Sequence, residues 1–293
     1  MPIRDSRRGV VEVITAGRAR GTSESLSQCV ARLQWQVALK LKALQSHATP
    51  NNVHQARSAA RRVRAILTVF KQDLPKELSR DYVPALKRVT RKLGQIRDID
   101  VAQRSIDRLS PVSQEGHGDA IKALKLALNT RRARMVFAMQ SEWLTSLGGQ
   151  RLITRLRAEG LRATPMNVTG AVRLSRRRKR LRARLLKCKS GSEALHRLRR
   201  KVKILRYASE ELQVRGTARI REEELAGLAG LQEVLGRLQD FQSLREVLRR
   251  HGRYRRTIKA LRARAAIRRR RLLRDFMERR SALLRVWENE AAS

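Results

Sequence analysis

Two short segments of the chain carry a histidine followed by basic residues at the spacing of one helix face. In each segment the basic residues stand three, seven and ten positions after the histidine. A helix advances about 100° per residue, so each set falls within an arc of roughly 80°. The first basic stripe is His54, Arg57, Arg61 and Arg64, and the second basic stripe is His196, Arg199, Lys203 and Arg206.

The side chains of both stripes suit the binding of phosphate groups. Arginine presents a planar fork of donors that can grip two phosphate oxygens at once, and lysine adds a point charge. A histidine beside several phosphates would be favoured in its protonated form, which gains a second donor. The opposite faces are apolar and are formed by Ala56, Ala59, Val63, Ile66, Leu67 and Phe70 in the first segment and by Leu198, Val202, Leu205 and Leu212 in the second. Each stripe is therefore expected on an amphipathic helix.

A solvated helix face is the alternative interpretation of a charged stripe. An ordinary exposed face mixes both signs, because acid–base pairs three or four positions apart stabilise a helix. No acid occurs from Val53 to Gln72, and the stretch from Arg173 to Lys189 holds ten Lys and Arg residues and no acid. Like charges at this spacing destabilise a helix, so the pattern favours a bound anion that compensates for them.

The stripes belong to a longer internal repeat. Six pairs of residues stand 142 positions apart without a gap: His54 and His196, Arg57 and Arg199, Arg61 and Lys203, Arg64 and Arg206, Gly94 and Gly236, Asp98 and Asp240. This offset indicates two copies of one helical bundle, related by a pseudo-two-fold axis. The glycines are expected to permit a turn or a close helix contact. Each aspartate is expected either to cap a following helix or to hold a stripe arginine.

The elements that must position these residues are helices. Apolar residues recur at i, i+3, i+4 and i+7, and no alternating strand pattern stands out. The predicted fold class is all-α, with two pseudo-symmetric antiparallel helical bundles around a basic groove or channel. Helices are predicted over 23–47, 51–73, 78–96, 98–109, 119–147, 168–188, 192–214, 218–238, 240–251 and 254–288. The predicted organisation is a flexible leader over 1–22, a first bundle over 23–147, a connecting segment over 148–167 and a second bundle over 168–288.

Composition limits the class of partner. Lys and Arg number 68 against 26 Asp and Glu, which gives a formal charge of +42, and 41% of the residues are apolar. The chain can therefore bury a core, and its charge indicates a phosphate polymer, a nucleic acid or an anionic membrane surface as partner. No membrane-spanning run, signal-peptide pattern or metal-ligand spacing stands out, and we expect no metal or cofactor. The core is expected to include Cys29, Cys188, Trp35, Trp143 and Trp287.

The two segments resemble the paired motif of the CHAD family, the conserved histidine α-helical domain. The first match is VHQARSAARRVRAILTVF followed by LGQIRDIDV, and the second is LHRLRRKVKILRYASEEL followed by LGRLQDFQSLREVL. The resemblance implies two four-helix bundles that face each other across a basic channel or groove. It also implies binding of inorganic polyphosphate, through both stripes together with Arg62, and association with polyphosphate granules. Two lone thiols fit a reducing cytosol, so we expect a cytoplasmic protein. The counterpart of Arg62 is Ile204, which departs from the pattern in the second copy.

Two other classes of function compete with polyphosphate binding. A charge of +42 would also suit non-specific nucleic-acid binding, although the aromatic residues that could stack on bases make up only 3% of the chain. An enzyme such as a phosphohydrolase is disfavoured, because no P-loop, metal-binding carboxylate cluster or nucleophile–base pair stands out. We therefore expect a stand-alone binding module without catalytic activity.

Overall fold

The secondary structure of the protein is helical. The computed structural model describes residues 26–73, 80, 82–110, 118–145, 167–188, 191–214, 218–249 and 255–292, and these contain no strand. The all-α prediction is confirmed. The α-helices in this part of the chain are α1 Leu26–Ser46, α2 Pro50–Val69, α3 Val83–Leu109, α4 Gly118–Thr145, α5 Asn167–Leu186, α6 Ser192–Val214, α7 Glu222–Arg249 and α8 Arg255–Ala292. The predicted leader, and all of the predicted connecting segment except residue 167, lie outside the described residues.

Local hydrogen bonds determine where α2 begins. The Oγ1 atom of Thr49 accepts a hydrogen bond from the backbone N–H of Asn52 at 3.1 Å, as an N-cap residue does. Pro50 occupies the first turn, where a helix needs no backbone N–H. The side-chain amide of Asn52 also donates to the carbonyl oxygen of His47 at 2.7 Å, and this hydrogen bond fixes the short connection between α1 and α2. The first basic stripe therefore starts one turn inside a capped helix.

The predicted breaks near residues 97 and 239 are wrong. Helices α3 and α7 continue through the segments 94–98 and 236–240. An interior glycine costs a helix only about 1 kcal/mol relative to alanine, which the burial of neighbouring apolar side chains easily offsets. Leu93, Ile96 and Ile99 are all buried and keep the helical period across this segment of α3. Asp98 and Asp240 are therefore interior helix residues, and the prediction that they cap a following helix is also wrong.

The apolar core joins the two halves of the chain. The largest cluster of buried side chains includes Val63 of α2, Phe70 directly after α2, Val202 of α6, Leu235 of α7 and Trp287 of α8. Two smaller clusters join α3, α4, α7 and α8 in one case and α1 to α4 in the other. Across the two halves, α2 packs against α6 and α3 packs against α7. The two helices that carry the basic stripes are therefore neighbours.

The cysteines and tryptophans that were predicted to lie in the core differ in how deeply they are buried. Cys29 is fully buried and Trp287 is only 4% exposed, as predicted, whereas Cys188 is partly buried at the edge of the core. The prediction for Trp35 is wrong, since it is 37% exposed. Its position on α1 lies two residues from the buried Leu33, which turns it away from the core face. The side chain of Trp143 lies outside the described residues.

None of the helices in the described ranges is long and apolar enough to cross a membrane.

Candidate anion-binding groove

Helices α2 and α6 bring the middle of both basic stripes together. Burial and the positive charges of Arg57 and Arg199 lower the pKa of Arg61, to about 9. Burial also lowers the pKa of Arg57 to about 10, with a further contribution from Arg199. All these side chains are half-buried. Arg57, Arg61, Arg199 and Lys203 form what we call the central cluster.

The pKa of Lys203 is also strongly lowered in the central cluster. Burial, followed by the charges of Arg199, Arg61 and Arg57, lowers its pKa to about 5. The lysine is therefore largely neutral at pH 7 as long as no anion lies beside it. An anion in the groove would favour the protonated form and raise this pKa.

Two carboxylates lie near the central cluster, one on α3 and one on α7. Burial raises the pKa of Asp98 and of Asp240, against the opposing effect of nearby arginines that include Arg57 and Arg199. In the part of the chain that the structure describes, neither carboxylate forms an ion pair within 4.0 Å. The expected bidentate pairs with stripe arginines are therefore absent, and the acids offset the positive charge only from a longer distance.

The guanidinium groups of Arg57 and Arg199 are held without all of their donors being satisfied. The Nε atom of each is buried, and no group among the described residues accepts a hydrogen bond from it. Leaving a buried donor unsatisfied costs about 1 to 3 kcal/mol. The fold thus keeps both arginines at these positions at some expense of stability.

The glycine of each motif copy lies beside the stripe arginine of the same copy. A Cβ atom built on Gly94 would lie 3.4 Å from Nη2 of Arg57, and one built on Gly236 would lie 4.0 Å from Nη2 of Arg199. Of the two expected roles, the structure supports close contact rather than a turn. The lack of a side chain lets each guanidinium group lie against the neighbouring helix.

The histidines at the head of the stripes have different surroundings. Burial and the charge of Arg97, with smaller contributions that include Arg104, lower the pKa of His54. In the second copy, Nδ1 of His196 lies 2.7 Å from Oε1 of Gln239, so Nδ1 carries the proton and donates it. Gln239 stands 142 positions after Arg97. The two stripes therefore differ at their histidines.

Arg97 and Arg104 are two basic residues of α3 that the sequence analysis missed. Arg97 is half-buried, and its pKa is lowered by burial and by Arg104. They stand two helical turns apart, and this spacing indicates that both lie on the same face of α3. Their counterparts are Gln239 and Glu246, so a search restricted to repeated positions does not find them.

Arg62 and Arg206 are held by acids of α6. Arg62 forms ion pairs with Glu210 at 3.2 Å and with Glu211 at 3.0 Å, and Arg206 forms one with Glu210 at 2.6 Å. Both guanidinium groups also lie over the ring of Tyr207, at 5.6 and 5.8 Å from its centroid. This network connects α2 to α6 beyond the central cluster. The predicted role of these two arginines in ligand binding stays a prediction, and the structure gives them a structural role as well.

Arg64, the last residue of the first stripe, is half-buried beside another cation. Its pKa is lowered by burial and by the charge of Arg200. In the described part of the chain, it forms no ion pair with an acid. It therefore extends the positive charge of the groove towards the outer side of α6, and its predicted contact with a ligand stays a prediction.

Comparison with known proteins identifies the family. The family model for the CHAD domain matches residues 26–249, which is most of the chain. The chain belongs to the CHAD domain family. The CHAD domain from the plant Ricinus communis has a similar structure, with a TM-score of 0.71 and 20% identity over 91% of this chain and 95% of that one. PptA from Streptomyces chartreusis is also similar, with a TM-score of 0.65 and 19% identity over 90% of this chain and 100% of that one.

At these identities the two structures establish that the CHAD fold is shared. No curated protein sequence matches the chain. Among the described residues, no three His, Cys, Asp or Glu side chains come together as a metal-binding group.

Proposed function

We propose that this CHAD domain binds inorganic polyphosphate along the groove between α2 and α6. The observation that carries the proposal is the convergence of two basic stripes, 142 positions apart in sequence, into the central cluster. A polyanion lying on the central cluster would replace repulsion between the stripes with attraction to both. The resemblance of both motifs to the CHAD family supports the same ligand.

The length of the stripes and the chemistry of the central cluster favour a thin, flexible polyanion. Each stripe extends over ten helical steps, or about 15 Å, so it presents cations along a line rather than at a point. Because the cations are half-buried, the phosphates must approach closely, which is easier for a chain without bases than for a wide duplex. Arginine can then hold phosphate oxygens in bidentate fashion.

We further propose that the protein acts by binding alone, as a scaffold or granule-associated protein of the cytoplasm. Lys and Arg side chains neutralise and hold phosphate groups, but they do not by themselves activate a water molecule for hydrolysis. A tagged protein should therefore co-localise with polyphosphate granules, and the doubly substituted Arg57→Gln/Arg199→Gln variant should not. Purified protein should leave the length of polyphosphate chains unchanged over prolonged incubation.

A competition experiment tests the proposed ligand. Long-chain polyphosphate, duplex DNA and RNA are compared at matched phosphate concentration and about 150 mM salt, where the Debye length is about 8 Å. We expect polyphosphate to compete best and the Arg57→Gln/Arg199→Gln variant to lose this preference. Lys40→Gln/Lys87→Gln is the matched control, since both lysines are exposed and lie outside the groove. Equal competition by DNA would favour a nucleic-acid-binding function instead.

A further inference from the structure

A second basic cavity lies between α5 and α6, on the other side of α6 from the central cluster. Its volume is about 320 Å³. The deeper lining is apolar and consists of Leu181, Ile204 and Leu205. The remaining lining residues are all basic: Arg177, Arg180, Arg184 and Lys201.

These four cations are close to one another, and their charges act on one another. Burial, followed by the charges of Arg184 and Arg177, lowers the pKa of Lys201, and Arg200 and Arg180 contribute as well. Within the described ranges, none of the four cavity cations forms an ion pair with a carboxylate. Such a cluster destabilises the unliganded protein, and a bound anion would remove the repulsion.

Neighbouring arginines of the same helix do have acidic partners. Arg178 forms an ion pair with Glu224 at 3.0 Å, and Arg182 forms one with Glu288 at 3.1 Å. The acids of α7 and α8 therefore neutralise one face of α5 and leave the cavity face positive. Arg177, at the cavity, is instead held by a hydrogen bond from Nη2 to the carbonyl oxygen of Thr68 at the end of α2. Its guanidinium group is therefore oriented before any ligand arrives.

The charge of this cavity belongs to the second copy of the repeat alone. The residues 142 positions earlier are Trp35, Ala38, Lys42 and Ala59, of which only one is basic. The packing of α1 on α2 thus does without these cations. Apart from the hydrogen bond of Arg177 to Thr68, no contact among the described residues accounts for them between α5 and α6, and a role in binding would.

We propose that the cavity between α5 and α6 is a separate site for a compact oligophosphate, either a free di- or triphosphate or the end of a polyphosphate chain. Its volume is at the lower end of the range for small-molecule sites, about 300 to 1,000 Å³, and so suits a few phosphate groups. The inference goes beyond the proposed function, because it concerns another cavity and a ligand of another size.

Titration calorimetry with triphosphate tests the site. The cavity variant Arg180→Gln/Arg184→Gln/Lys201→Gln removes three exposed cations, so its fold should be unaffected. We expect it to weaken triphosphate binding at least about tenfold, since charge-assisted hydrogen bonds are lost. The control Lys40→Gln/Lys87→Gln/Arg91→Gln removes the same charge from exposed positions elsewhere and should change the affinity less than about twofold.

The groove variant Arg57→Gln/Arg199→Gln separates this inference from the proposed function. It should retain triphosphate binding at the cavity while losing affinity for long polyphosphate. The inference is overturned if the cavity variant binds triphosphate as the control does, or if only the groove variant loses it. If wild-type protein binds triphosphate through the cavity but does not bind long polyphosphate, the inference stands and the proposed function fails.

Polyphosphates of different length distinguish the two sources of the ligand. At matched phosphate concentration, short chains present more ends than long chains do. A loss of affinity in the cavity variant that is larger for short chains supports capture of chain ends. A loss of triphosphate binding with no change in the affinity for longer chains supports a free oligophosphate as the ligand.

Discussion

The guanidinium group of Arg57 lies against α3 at Gly94, where there is room for a methyl group but not for a larger side chain. A Cβ atom at this position would lie 3.4 Å from Nη2 of Arg57. A single methyl group would therefore touch the guanidinium group, and a larger side chain would displace it. This contact joins the two parts of the sequence motif, which lie on different helices.

Substitution of Gly94 should consequently affect binding through Arg57. We expect Gly94→Leu to weaken polyphosphate binding several-fold, because the new side chain moves the guanidinium group out of the central cluster. Gly118→Leu is the control, since a Cβ atom there meets nothing within 4 Å. Both variants are compared by titration with long polyphosphate, and equal affinities would mean that the position of Arg57 is unimportant.

The protonation of Lys203 should be linked to binding. Its pKa is about 5 in the unliganded protein, and phosphate groups beside it would raise that value. Binding should therefore take up protons, and affinity should fall as the pH rises from about 6 to about 9. Calorimetry in buffers of different ionisation enthalpy measures this uptake. Lys203→Met should reduce it, and an unchanged uptake would contradict the linkage.

The same lysine should make stability depend on pH. Because its folded-state pKa of about 5 is below its ordinary value of 10.5, the unfolded chain binds more protons between these values, and this lysine makes stability rise with pH. Lys203→Met should remove this contribution. It should also raise the free energy of unfolding at pH 7, by roughly 1 to 4 kcal/mol, because the folded protein no longer has to keep an amine neutral at a pH below its ordinary pKa. Urea denaturation at several pH values provides the measurement.

Arg62 and Arg64 should respond differently to substitution. Arg62→Gln removes ion pairs to Glu210 and Glu211, so it should lower the free energy of unfolding by about 1 kcal/mol with little effect on polyphosphate affinity. Arg64→Gln removes a cation beside Arg200 and should weaken binding without loss of stability. If Arg62→Gln weakens binding and Arg64→Gln lowers the free energy of unfolding, then Arg62 contacts the ligand and Arg64 stabilises the fold.

The sequence predicted best those features that depend on local periodicity. The predicted helix over 192–214 has the same bounds as α6, and the apolar faces of α2 and α6 are almost entirely buried. Prediction failed for features that depend on contacts between residues distant in sequence. The breaks predicted beside Gly94 and Gly236 do not occur, because packing of α3 and α7 outweighs the local preference of glycine. The partners of Arg62 lie on another helix, so the stripe pattern could not identify its ion pairs.

Long polyphosphate should stabilise the folded protein as one unit. At a ligand concentration of about 100 times Kd, binding to the folded state contributes about 2.7 kcal/mol, and the melting temperature should rise by roughly 5 °C. Orthophosphate should have a much smaller effect, because it cannot contact both stripes. Arg199→Gln/Lys203→Gln should remove most of the stabilisation if one chain contacts both helices. Loss of only half would indicate two independent sites.

The continuous core beneath α2 and α6 bears on the kinetics of binding. Since buried side chains of both halves belong to one apolar cluster, the halves cannot swing apart to admit or release a chain without exposing that cluster to water. Within the part of the chain that the structure describes, the two halves therefore have no hinge between α2 and α6. A long polymer must leave by detaching one phosphate after another along the groove or by sliding lengthwise. Its residence time should therefore increase with the number of phosphates that are bound. Its association rate should depend chiefly on ionic strength.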